Sequence, residues 1–322
     1  MIKIFKSNGI LQIVIIVAVA AAIWVGSLFN PPEMVADATC GPFYLLLRKI
    51  LHGVPHLAAI LGLLLTIVEG YLLNRLLYNN GLTPLNTLLP TLLYTILMGV
   101  GVEANGLTPA VVTNLWLLLA LNSMMPKDNM IMQENSIFNT TMWFSMTTIT
   151  WIPALYAAIP IIVGLLTYKV YKGREWSVAL LGFLALVIIV TTTLFLIDRM
   201  DIAANYAISS IEELHIHFEP DALPVIETSL YALMALIVTI SSVSGLFKDT
   251  IAQRKHGMVI VSMLIYSVAT LFYTKLMPVN AQPFAITVAT TGSMYLLARK
   301  RRLWIYDICL AILFGLSLYS YL

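Results

Sequence analysis

Four residues in two separated stretches carry side chains suited to chemistry at a membrane surface. Glu33 and Asp37 follow the first apolar segment, and Arg199 and His215 belong to a later polar stretch, 198–227. A carboxylate near the outer surface can act as general base toward an acceptor hydroxyl, or hold a divalent ion for a phosphate leaving group. External loops are also often acidic without such a role. His215 and His217 are two apart, so they share a face in extended chain but not on a helix. With Glu213 and Glu219 beside them they suit an ion site, a base or a solvated edge. His52 and His56 have the spacing of two metal ligands on one helix. Pro55 between them starts a helix instead, and no third ligand is evident, so no metal is expected and the cofactor stays unknown.

Glu69 and Asp307 are the ionisable residues inside predicted apolar spans, where charge is costly and function is the default expectation. Glu69 stands six residues from Arg75 and Asp307 five from Arg302, roughly 9 and 8 Å of helical rise. Interfacial placement with snorkelled pairing is therefore the reading, and no chain of mid-membrane charges points to an ion-coupled transporter. No Walker loop, nucleophile elbow, zinc-protease motif or Gly-rich dinucleotide loop occurs.

What positions these residues is a set of apolar helices. The 322 residues are 60% hydrophobic and 11% charged, with mean hydropathy +0.89, where a soluble chain has roughly 25% charged residues. The ten-residue alternation of a transmembrane barrel is missing, so the fold class is all-α, a polytopic transmembrane bundle forming one domain over 1–322. A net charge of +2, with basic residues scattered over loop ends, excludes nucleic acid as partner. Cys40 and Cys309 are too few for a disulfide framework.

The stretch 138–176 decides the topology. Its apolar part, 139–168, would reach roughly 46 Å as one helix, against a hydrocarbon core of about 30 Å. Pro153 and Pro160 interrupt it, which predicts a turn near Trp151-Ile152-Pro153 and a hairpin of two short helices. Lysine and arginine accumulate in cytoplasmic loops. With the hairpin, 14 of the 18 fall on one side, leaving Arg48, Lys49, Arg199 and Lys275 on the other; with a single crossing the division becomes 6 inside against 12 outside.

Read along the chain, 10–28 is an uncleaved anchor that leaves the N-terminus cytoplasmic, 42–52 a short surface helix with Arg48 and Lys49 snorkelling, and 54–76 a second span. Asn80-Gly81-Leu82-Thr83-Pro84 recurs as Asn105-Gly106-Leu107-Thr108-Pro109. Threonine at the N-cap and proline at N1 should each open a helix, giving spans 84–102 and 109–125. After the hairpin, 176–197 crosses, and 198–227 lies outside with an interfacial helix, its Ile202, Tyr206, Ile211, Leu214 and Phe218 near helical spacing. Spans 228–247, 258–276, 283–298 and 303–322 complete about eleven membrane helices, with the C-terminus external. Tryptophans near predicted helix ends, Trp116, Trp143, Trp151, Trp176 and Trp304, read as an aromatic belt.

Ile4-Phe5-Lys6-Ser7, Asn80-Gly81-Leu82-Thr83, Asn114-Leu115-Trp116-Leu117-Leu118-Leu119-Ala120-Leu121, Ile137-Phe138-Asn139 and Arg174-Glu175-Trp176, in that order, resemble an uncharacterised multi-pass integral-membrane family of the Bacteroidota over roughly the first two hundred residues. That resemblance carries no reaction with it, and the expected location is the inner membrane. The order of anchor, acidic external loop, surface helix and short-helix hairpin is similar, at the level of architecture, to polyprenyl-phosphate-dependent glycosyltransferases and to polymerases and ligases of lipid-linked glycans. The first likeness implies Glu33 or Asp37 as base; the second implies roles for Arg199 and His215. Neither family's large external domain is matched here. The expected function is thus a glycosyltransferase-like enzyme acting on a polyprenyl-phosphate-linked sugar at the external face of the envelope; the alternatives are a non-catalytic subunit with a membrane-protein partner, and a transporter.

Overall fold

A computed structural model describes residues 9–34, 39–83, 87–99, 106–125, 131–212, 251–271 and 282–298, together with Phe5 and Gly315. Among them the chain is all-α, its one strand-like feature being an isolated bridge between Cys40 and Trp151. The helices are α1 (Ile10–Phe29), α2 (Pro42–Leu51), α3 (Pro55–Asn79), α4 (Leu89–Met98), α5 (Pro109–Met124), α6 (Glu134–Thr150), a 3-10 turn (Ile152–Ala157), α7 (Ala158–Thr167), α8 (Gly173–Leu196), α9 (Met200–Glu212), α10 (Ile251–Leu271) and α11 (Phe284–Ala298).

Three of these, α1, α3 and α8, are long and apolar enough to cross a membrane, with mean hydropathies of 2.5, 1.9 and 2.6. Their outward faces are apolar too: Leu11, Val14 and Val17 on α1 and Leu180, Leu181, Ile188 and Ile189 on α8 are exposed. Contiguous greasy surface of this kind is what a lipid-facing helix presents, and what a water-soluble monomer avoids.

The expected span 84–102 is different in the structure. Residues 84–86 lie outside the described set, and α4 runs only from Leu89 to Met98, about 15 Å of rise, half of what a bilayer needs. Every residue of α4 is buried, because it packs between α3, α1 and α11 rather than facing lipid. The second copy of the repeat behaves as expected. Thr108 caps α5, its hydroxyl accepting from the Val111 N–H at 3.1 Å, with Pro109 in the first turn. The predicted spans 228–247 and 303–322 lie outside the described residues.

The hairpin is present. α6 ends at Thr150, the chain turns through Trp151 and Pro153, and α7 returns. Its two open ends meet: the Met132 N–H donates to the Tyr168 carbonyl at 3.4 Å, and Arg174 Nη2 donates to Glu134 Oε2 at 3.0 Å. At the closed end Trp151 is buried and pinned to the segment before α2, with Gly41 N–H donating to Thr150 O at 2.9 Å and Ile152 N–H to Thr39 O at 3.0 Å. Several expected belt tryptophans instead hold the interior together. Trp116 on α5 stacks on Trp143 of α6 with centroids 5.5 Å apart, and Phe43 of α2 meets Trp116 edge-on at 5.8 Å.

The bundle therefore has two ends. One gathers the hairpin's closed turn, α2, the end of α1 and the start of α3. The other gathers the hairpin's open ends with Lys169, Lys172 and Arg174, and there Gln253 of α10 donates to the Gly81 carbonyl at 2.7 Å.

Candidate functional site

At the α2 end the helix itself carries the clearest pattern. Tyr44, Leu47 and Leu51 face the bundle, with the Tyr44 hydroxyl donating to Leu107 O at 2.7 Å. Leu46 and Ile50 are exposed apolar side chains on a second face. Leu45, Arg48, Lys49 and His52, at i, i+3, i+4 and i+7, line a third, bordering an open groove of about 510 Å³. One apolar face and one cationic face on a short helix is the geometry of an element lying in the headgroup plane. Arg48 and Lys49 also sit in the last turn, where the helix macrodipole favours cations.

α9 lies at the same end. It packs against α2, and the Tyr206 hydroxyl donates to the Thr148 carbonyl beside the hairpin's closed turn. An interfacial helix was expected within 198–227, and Met200–Glu212 is helical.

Of the four expected site residues, two are described. Glu33 is exposed and borders a small cleft with Pro32, Met34, Ala58, Gly106 and Thr108, enclosing about 10 Å³, room for about one water. Arg199 is exposed and paired with Asp201, its Nε donating to Oδ1 at 3.3 Å. It follows α8 directly, and so reaches the α2 end. Asp37 and His215 lie outside the described residues, as do His217 and Asp307. His52 and His56 do not share one helix, because α2 ends at Leu51 and α3 starts at Pro55. His52 joins the basic groove, whereas His56 Nδ1 lies 3.1 Å from the Leu28 carbonyl. Among the described residues no cluster of three or more His, Cys, Asp or Glu could hold a metal.

Glu69 departs from expectation. It is fully buried in the bundle near the middle of α3, about 21 Å of rise from its start and about 15 Å from its end. Arg75 cannot reach it: six residues turn a helix by about 600°, leaving the two side chains about 120° apart, and Arg75 points outward, exposed. The Tyr94 hydroxyl of α4 donates instead to Glu69 Oε2 at 2.7 Å. Asn114 of α5 donates to the same hydroxyl at 3.2 Å and to the Gln282 carbonyl at 3.4 Å. Gln282 Oε1, ahead of α11, accepts from Thr108 at 2.6 Å. Two acceptors in this cluster, Glu69 Oε1 and Asn114 Oδ1, have no hydrogen-bond partner. Close approach lets α3 and α4 meet here: a Cβ on Gly70 would stand 3.0 Å from Thr91 Cγ2, and the Thr91 hydroxyl donates to the Gly70 carbonyl at 3.0 Å.

Sequence reasoning singled out none of Tyr94, Asn114 and Gln282. Asn114, a carboxamide within an otherwise apolar predicted span, was the available signal.

These features define an all-α protein with helices fit to cross a membrane, a short amphipathic basic helix at one end and a buried carboxyl cluster. No protein-family model matches this chain, and no curated protein is significantly similar to it.

Proposed function

We propose that the protein binds a phosphate-bearing lipid of the polyprenyl-phosphate kind at its α2 face, and acts there on lipid-linked envelope glycan. The observation that carries this reading is the stripe of Arg48, Lys49 and His52 on an amphipathic helix, bordering an open groove. Two guanidinium or ammonium groups at headgroup depth suit a phosphate, while the exposed Leu46 and Ile50 sit in the acyl boundary. In this reading Glu33 or Asp37 takes the proton of an acceptor hydroxyl, and Arg199 and His215 serve the same face from the 198–227 stretch. The proposal includes about eleven membrane helices in the inner membrane, with the N-terminus cytoplasmic and the α2 end external, as the charge division favours.

The test is lipid binding by the full chain in nanodiscs, read by native mass spectrometry with undecaprenyl phosphate and with the uncharged alcohol. Basic residues near an anionic surface contribute about 1 kcal/mol each, so R48A/K49A should weaken phosphate-lipid binding by roughly tenfold to thirtyfold and leave the alcohol unchanged. Equal binding of both lipids, or no effect of the double substitution, would refute it. Singly replacing Glu33, Asp37, Arg199 and His215 with alanine should then abolish a surface-glycan phenotype at unchanged protein level; normal glycan in all four removes the catalytic part.

A further inference from the structure

We infer that Phe43, Trp116 and Trp143 form an aromatic ledge beside α2 that takes the tail of the lipid bound there, and selects a branched, unsaturated isoprenoid chain over a straight saturated one. This rests on the phosphate-lipid reading of α2 and deepens it from headgroup to tail. Phe43, Leu46 and Ile50 stand at i, i+3 and i+7 and form the apolar edge of α2, with Leu46 and Ile50 exposed and Phe43 half-buried. Lys49 and Leu46 are neighbours around the helix, about 60° apart, so a phosphate held on the cationic face delivers its tail onto that edge. The edge leads on to the bundle wall. Phe43 meets Trp116 of α5 edge-on at 5.8 Å, and Trp116 stacks on Trp143 of α6 at 5.5 Å with 9° between the planes.

Depth separates the two indoles from an ordinary interfacial belt. Trp116 lies two turns into α5 from Pro109, and Trp143 two turns before α6 ends at Thr150, so both stand about 10 Å of helical rise from the α2 end. Each is half-buried, with part of its surface left on the outside of the α5–α6 seam. Hydrocarbon surrounds that surface, so release of water favours no tail over another, and contact and shape must discriminate. An isoprenoid unit carries a planar alkene and a methyl branch, which pack on an aromatic ring and lose little freedom in doing so. A straight saturated chain has neither, and gives up on the ledge the flexibility it keeps in bulk lipid.

Photocrosslinking on the full chain in nanodiscs tests this, with an isoprenoid phosphate carrying a diazirine in an isoprene unit near the phosphate. Label should appear in the peptides holding Phe43, Trp116 or Trp143. Farnesyl phosphate and dodecyl phosphate have the same headgroup and main-chain length, and the first should compete for the label about tenfold better. Trp143→Leu, and separately Phe43→Leu, should reduce that advantage by about twofold to tenfold, the range of one aromatic contact, and leave dodecyl phosphate unchanged. Label elsewhere on the chain, equal competition by the two phosphates, or an advantage that survives both substitutions overturns the ledge. R48A/K49A tells the two readings apart: equal competition that still depends on Arg48 and Lys49 removes only the tail selection, whereas competition indifferent to both residues removes the phosphate-lipid site as well.

Discussion

Arg174 and Glu134 meet at 3.0 Å although forty residues separate them, so the two helices of the proline-broken hairpin begin and end at the same end of the bundle. The lysines and arginines that follow α7 are thereby placed opposite α2. Both partners are well exposed, at 79% and 45%, so the ion pair reports the hairpin more than it holds it.

Arg174→Ala should therefore lower stability by less than about 1 kcal/mol. Trp151→Ala, at the buried closed end, should cost about 3–5 kcal/mol through the cavity it leaves. Thermal unfolding in detergent, followed by circular dichroism, separates the two; equal effects would mean the hairpin is not packed as described.

Gly41 joins α2 to the hairpin turn. A Cβ there would lie 2.6 Å from the Ile149 carbonyl carbon and 3.0 Å from that of Thr150, backbone that cannot give way cheaply. Gly41→Ala should cost about 1–3 kcal/mol and weaken phosphate-lipid binding along with it, because it pushes α2 outward. Loss of stability with unchanged lipid binding would detach the basic groove from the proposed function.

Tyr94→Phe keeps the ring and removes the hydroxyl that donates to Glu69. Leaving the buried carboxyl without its donor, and Asn114 one acceptor short, should destabilise by about 1–3 kcal/mol. In a Glu69→Gln background the same substitution should cost less, since the two residues are in contact and their effects do not add. Full additivity in the double-substitution cycle would show that the hydrogen bond contributes nothing.

The opposite end of the bundle has its own pH dependence. His256, ahead of the apolar part of α10, lies 2.6 Å from the hydroxyl of Tyr168, at the hairpin's open end. Burial, and then the charge of Lys255, pull its imidazole down to about 4 from an ordinary value of 6.5. Below about 6.5 the unfolded chain takes a proton that the folded one refuses, so stability is full above that pH and falls as pH drops toward about 4. His256→Gln should flatten the fall between those limits in the unfolding midpoint; an unchanged slope would assign it to other groups.

The helical class, the hairpin and the cap at Thr108 were readable because each depends on local signals: hydropathy, proline and an N-cap residue. The length of α4 was not. A wholly apolar run looks alike whether lipid or protein surrounds it, and packing among α1, α3 and α11 decides which. The Glu69 cluster was hidden for a related reason. Distance along a helix suggested Arg75 as its partner, while rotation around the helix sends the two side chains to different faces, and Tyr94, Asn114 and Gln282 come from three other segments. Arg48 and Lys49 were read as a pair in the short helix 42–52, and the structure has α2 there; that they share a stripe with His52 follows from where α2 ends.

Placement of α2 and of the Lys172 turn on opposite sides of the membrane is the claim on which every proposed external residue depends. In a cysteine-free background, His52→Cys and Lys172→Cys should be treated with an impermeant maleimide on cells whose outer membrane has been opened. The first should label readily and the second only after lysis. Labelling of Lys172→Cys with His52→Cys silent, or labelling of both from outside, would contradict it.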